Sequence, residues 1–189
     1  MFRRRFLWAS AVLVGVVGVG ACAPRVPKEI VITQAQMEQG LQAHFPKEFP
    51  VAGLLQLSMQ QPALRLLPVS NQLETTLVVQ LSGKALKQVY QGQMQLRFGL
   101  RYAAQDFTVR TQQVQVLGLQ LDGAPPALAD MLQAYGLRLA AQAMEDFVLY
   151  TVPEAQQSLM TQLGVQPQAL VVTDAGLKVV LQSDDQPKP

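Results

Sequence analysis

Side chains able to carry out a reaction are scarce in this chain. Its 189 residues hold one thiol, Cys22, and one imidazole, His44. A metal site needs several His, Cys, Asp or Glu side chains at ligand spacing, and no such cluster accompanies His44. Acyl transfer at serine needs a base beside the nucleophile. No G-x-S-x-G string is present, and His44 has no triad setting. Adjacent carboxylates occur at Glu145-Asp146 and Asp184-Asp185. Helical neighbours point about 100° apart, so the first pair reads as a solvated edge; the second falls in the tail. No glycine-rich phosphate loop is present. The reading is a non-enzyme with no catalytic residue, no metal ligand and no cofactor.

Cys22 has a setting of its own. Arg3, Arg4 and Arg5 precede an apolar run from Phe6 to Ala21, which closes Val19-Gly20-Ala21-Cys22. Basic start, short apolar stretch and small residues at the cut describe a signal peptide over 1–21. A transmembrane helix needs about 20 apolar residues, more than this run supplies, and Gly15, Gly18 and Gly20 are poor helix formers. Cysteine directly after the small residues resembles the bacterial lipobox. The expected product is a lipoprotein with palmitate-type chains on Cys22. Two or more chains give stable anchoring, at about 0.8 kcal/mol per buried methylene. Residue 23 is Ala rather than Asp, which favours the outer membrane, facing the periplasm, over the inner membrane. Arg3-Arg4-Arg5-Phe6-Leu7 fits a twin-arginine pattern, but general secretion is favoured because nothing downstream resembles a cofactor-loaded domain.

Without the leader the composition changes. Three of the 15 basic residues leave with it, so 12 remain against 13 acidic ones. A nucleic-acid surface is thereby not supported. No thiol remains for disulfides. Glutamine supplies much of the polarity, as at Gln56, Gln91, Gln93 and Gln95, alternating with apolar residues as on a solvated strand face.

The elements around these residues are legible in the periodicity. Residues 22–28 form a lipidated tether held extended by two prolines. Ile30-Val31-Ile32 reads as a strand, and Thr33 with Gln36 as a capping box opening a short helix with Met37 and Leu41 inward. Phe45 to Pro50 reads as a loop. Strands follow: Leu55 to Met59, a second piece after Pro62, and one carrying Leu73, Leu77, Val79 and Leu81. The clearest alternation is Met94, Leu96, Phe98, Leu100 and Tyr102, a strand buried on one side. In the next strand Phe107, Val109 and Thr111 share a phase, Val114 and Val116 reverse it, and Leu117, Leu119 and Leu121 restore it. Period-2 phase changes predict one or two bulges near 112–117, hence a curled sheet. After Pro125-Pro126, apolar residues from Leu128 to Tyr150 recur at helical steps, predicting a helix of about 24 residues. A short helix over Glu154 to Leu163 and a hairpin turning at Thr173 to Gly176 close the domain, 29–182. Residues 183–189 read as a disordered tail. The expected class is α+β: a curved, bulged antiparallel sheet around one long helix.

A groove between sheet and helix is the candidate site. Leu57, Met59, Val79, Met94, Leu96, Phe98 and Leu100 would line the sheet side; Met131, Leu132, Tyr135, Leu139 and Phe147 would line the helix side. The lipobox string, Ile32-Thr33 through Met37 and Leu41, the long helix after a β meander and the final hairpin together resemble the YceB-like bacterial lipoproteins, over about Glu29 to Gln182. That family is in turn similar to the tubular lipid-binding superfamily. The resemblance implies a curved sheet wrapping a helix, with acyl chains held between them. Two non-catalytic functions are expected from these features: a lipid-binding lipoprotein, or an envelope adaptor holding a protein partner.

Overall fold

The computed structural model describes residues 28–51 and 53–183. The expected signal peptide, Cys22 and nearly all of the expected tether lie outside them, as does the expected tail from residue 184. Ser183, expected to begin the tail, instead ends a strand, paired with Val165.

The class is α+β, with antiparallel sheets throughout. Strand β1 (Glu29–Thr33) leads into helix α1 (Gln34–Gln42) through the expected capping box. The Gln36 backbone N–H donates to Thr33 Oγ1 at 3.3 Å, and the Thr33 N–H donates to Gln36 Oε1 at 2.9 Å. Each bond satisfies a donor at the helix start. Met37 and Leu41 are buried.

Five further strands continue the chain: β2 (Lys47–Val51), β3 (Leu55–Leu67), β4 (Gln72–Gly83), β5 (Tyr90–Ala103) and β6 (Thr108–Leu121). With β7 (Val148–Thr151) they form one sheet in the order β2-β3-β4-β5-β6-β7. Strand β2 corrects the loop expected over Phe45 to Pro50. Pro50 lacks an N–H, which an edge strand tolerates on its free side, and Pro50 pairs with Gln56 on β3. Strand β3 runs through Pro62 as one piece, with a bulge between Gln60 and Ala63.

The bulges expected on β6 are present. Gln95 pairs with Gly118 and Leu96 with Val116, leaving Leu117 extra; Arg97 pairs with Gln115 and Gly99 with Gln112, leaving another. Two insertions flip the side-chain phase and then restore it. The sheet curls, and its concave face buries Leu73, Leu77, Val79, Leu81, Met94, Leu96 and Phe98 almost completely.

The helical stretch after β6 is 19 residues, made of α2 (Pro126–Met131), a π-helical segment (Leu132–Gly136) and α3 (Leu137–Met144). It is shorter than the sequence predicts. The chain leaves the helix at Glu145 and Asp146, where Asp146 adopts φ +60°, and residues 148–151 join the sheet as β7. Asp is among the few residues that visit this region readily. Helix α4 (Glu154–Gln162) follows Pro153. The expected hairpin, β8 (Val165–Thr173) and β9 (Gly176–Ser183), pairs with β1 as a second sheet, β1-β9-β8. Asn71, in a left-handed turn after β3, ties the two sheets together. Its amide donates to the Leu170 carbonyl at 3.1 Å and accepts the Val172 N–H at 2.7 Å.

Candidate functional site

A pocket of about 330 Å³ opens between the helical stretch and the concave side of the sheet. Leu57 and Met59 of β3 and Leu119 of β6 line it together, although β4 and β5 lie between those strands. In a flat sheet such strands would be about 14 Å apart, so curling brings their side chains around one space. Phe49 and Pro50 of β2 close one side. Leu132, Gly136, Leu139, Ala140, Gln142 and Ala143 close the helix side.

The pocket exists because the helix presents small residues to it. Gly136, Ala140 and Ala143 recur at four- and three-residue steps, so they stack along one helix face. None reaches beyond Cβ, and the space a longer side chain would fill stays open. A Cβ at Gly136 would come within 3.2 Å of Leu132 Cδ2, so glycine also allows Leu132 its position. Leu132 and Gly136 bound the π-helical segment, a feature frequent at functional sites. Gln142 is the one polar side chain in the lining. The floor residues Leu57, Met59, Leu119, Leu132 and Ala140 are buried, while Pro50, Leu139 and Gln142 are exposed at the mouth.

The end of the helix is fixed to β6 by polar contacts. Thr111 is buried; its hydroxyl donates to the Met144 carbonyl and accepts the Phe147 N–H at 2.9 Å. Glu145 accepts the N–H groups of Gln113 at 2.9 Å and Val114 at 3.0 Å, the donors that the bulge frees. Asp146 accepts from Arg101 and, at 3.0 Å, from Arg110, which also donates to Asp106. The Thr108 hydroxyl, donating at 2.7 Å, holds the Asp106 carboxyl below its ordinary range, and Arg110 adds to this. Gln133 donates to the Leu119 carbonyl at 3.3 Å, fastening mid-helix beside the pocket. Glu145 and Asp146 are exposed, as expected of a solvated edge, and they also clasp the helix end to the bulge.

The candidate groove residues separate into two groups. Leu57, Met59, Leu132 and Leu139 line the pocket. Val79, Met94, Leu96, Phe98 and Leu100 do not: they pack deeper, in the closed core. Alternation reports the face a residue is on, not its depth. Met131 is half-buried beside the core, and Tyr135 is 70% exposed on the outside of the helix. Phe147 lies past the helix end, its ring against those of His44 (5.4 Å) and Phe45 (6.0 Å), with Lys47 Nζ 4.7 Å above it. Sequence reasoning missed Phe49 and Pro50, in the stretch that reads as a loop, and the small residues Gly136, Ala140 and Ala143. Their shared spacing was the available signal.

His44 is exposed, with Nδ1 2.8 Å from the Gly40 carbonyl. Among the described residues no three His, Cys, Asp or Glu side chains gather as a metal site. A wider hollow of about 590 Å³ lies at the β2–β3 turn, with Glu48, Gln56 and Lys84 in its lining. It has no helix wall and is more open to solvent than the apolar pocket.

No protein-family model matches the chain, so the YceB-like resemblance rests on the strings quoted for it. No curated protein matches it either. Among solved structures it is similar to a crystal structure of lipopolysaccharide binding protein, at 12% identity and a TM-score of 0.32. The match covers 82% of this chain and 40% of that protein. A likeness at that level assigns neither a family nor a ligand.

Proposed function

We propose that the protein is a non-catalytic lipoprotein, anchored through acyl chains on Cys22 to the periplasmic face of the outer membrane. Its pocket between β2, β3, β6 and the helix receives an acyl chain of a lipid. The observation that carries the binding reading is the lining: ten apolar residues or glycine and one glutamine around about 330 Å³. That volume is at the lower end of the roughly 300–1,000 Å³ usual for ligand pockets. It suits one slender apolar chain, each buried methylene contributing about 0.8 kcal/mol. The anchor reading is supported by the leader and by Cys22 being the only thiol.

The test is mass spectrometry of the protein extracted in mild detergent from its own envelope. The expected result is a chain beginning at acylated Cys22, carrying a further, non-covalent lipid. A protein with unmodified Cys22 would remove the anchor. A stoichiometric protein partner with no lipid would replace the pocket reading with that of an adaptor.

A further inference from the structure

The outer side of the helix over the pocket is short of charge. Across residues 126–144 the only ionisable acid and base are Asp130 and Arg138, apart from the phenol of Tyr135. A surface helix of a soluble domain ordinarily covers its outer face with charged and polar residues. Here Asp130, Gln133, Arg138 and Gln142 are exposed, but so are Ala134, Tyr135 at 70% and, one turn on from Tyr135, Leu139 at 48%. Leu139 is also part of the pocket lining. Leu139 therefore joins the exposed Tyr135, one turn before it, to the lining of the pocket.

The geometry points to this helix face as a membrane-docking surface, lying on the headgroup–acyl boundary of a bilayer with the pocket mouth toward the lipid. This rests on the acyl-chain reading of the pocket and deepens it by supplying the route of entry. An acyl chain passing over Leu139 would never cross water. Tyr135 suits the interface, its ring in the apolar layer and its hydroxyl among headgroups. Arg138 can lay its stem along the apolar layer and raise its guanidinium to lipid phosphate. The exposed area argues against a second copy as the occupant. The exposed half of a helix about 28 Å long and about 11 Å across has a surface of about 480 Å², against about 800 Å² per partner in a stable interface. A bilayer needs no such matched area, because it deforms around the side chains it takes up.

The test uses new thiols in the full chain. Leu139→Cys, Tyr135→Cys and, on the opposite face of the sheet, Gln93→Cys are each labelled with an environment-sensitive fluorophore. The unsubstituted chain shows what Cys22 takes up. The probe membrane is a vesicle of phosphatidylethanolamine and phosphatidylglycerol carrying lipid-borne nitroxide quenchers. The expected result is a blue shift and loss of fluorescence at 135 and 139, and no change at 93. Labels at 135 and 139 that stay as water-exposed as the one at 93 would overturn the proposal, as would a blue shift that needs no vesicles and rises with protein concentration. If lipid co-purifies with the protein while these labels stay in water, docking fails and the pocket stands. If no lipid co-purifies yet the labels are quenched, the pocket fails and the surface stands.

Discussion

Filling the pocket from its helix wall separates ligand binding from folding. Ala140 is buried and lines the pocket, with no atoms beyond Cβ. Ala140→Phe would place a six-carbon ring in the open space, excluding about six methylene groups of a bound chain. At about 0.8 kcal/mol each, the loss is about 5 kcal/mol. At about 1.4 kcal/mol per decade, affinity falls by between three and four orders of magnitude. The ring also removes empty space, so stability stays level or rises; an overpacked site would cost about 1–3 kcal/mol. Ala143→Phe, one turn on and half-buried, enters the same pocket with more freedom and serves as the second variant. The assay is titration of a fluorescent fatty acid, with urea unfolding alongside. Two folded variants that bind the probe as the parent does would refute the assignment of this pocket as the chain-binding site.

Three other perturbations test the scaffold that keeps the pocket open. Thr111→Val leaves the Met144 carbonyl and the Phe147 N–H without their buried partner, and should lower unfolding free energy by about 1–3 kcal/mol, while Thr111→Ser retains most of it. Asn71→Gly keeps the left-handed turn but removes both bonds to β8, so amide exchange at Val172 should accelerate while that in β4 does not. The Asp106 carboxyl is held low chiefly by Thr108, so its contribution is full above the ordinary carboxyl pKa of about 4 and is lost as pH falls through the lower, folded value. Asp106→Asn should flatten that acid limb of a stability–pH profile and leave its neutral part unchanged in shape; at alkaline pH it also removes the charge that, after burial, helps to raise Tyr102.

The parts of the fold written in local pattern were readable. The capping box at Thr33 and Gln36, the one-sided strand from Met94 to Tyr102 and the phase reversal at Val114 and Val116 each follow from contacts between near neighbours or across one strand pair. Features decided by distant partners were not. Lys47–Val51 becomes a strand because β3 pairs with it, despite Pro50. The helix stops at Glu145 because the freed N–H groups of Gln113 and Val114 take its carboxylate, while Ala143, Phe147 and Tyr150 continue a helical period that the backbone abandons. The candidate site shares this limit. Leu57, Met59, Leu132 and Leu139 were visible as apolar positions on the right faces, but so were Met94 and Phe98, which the curl of the sheet seals into the core. The open space itself comes from glycine and alanine, residues that a search for apolar side chains passes over.

Photo-crosslinking with a fatty acid carrying a diazirine near its methyl end addresses the acyl-chain pocket most directly. The chain end should reach the floor, so adducts are expected on peptides containing Leu57, Met59 and Leu132, and to disappear in Ala140→Phe. Adducts confined to the outer helix surface, or unchanged in that variant, would contradict a lipid chain held between sheet and helix.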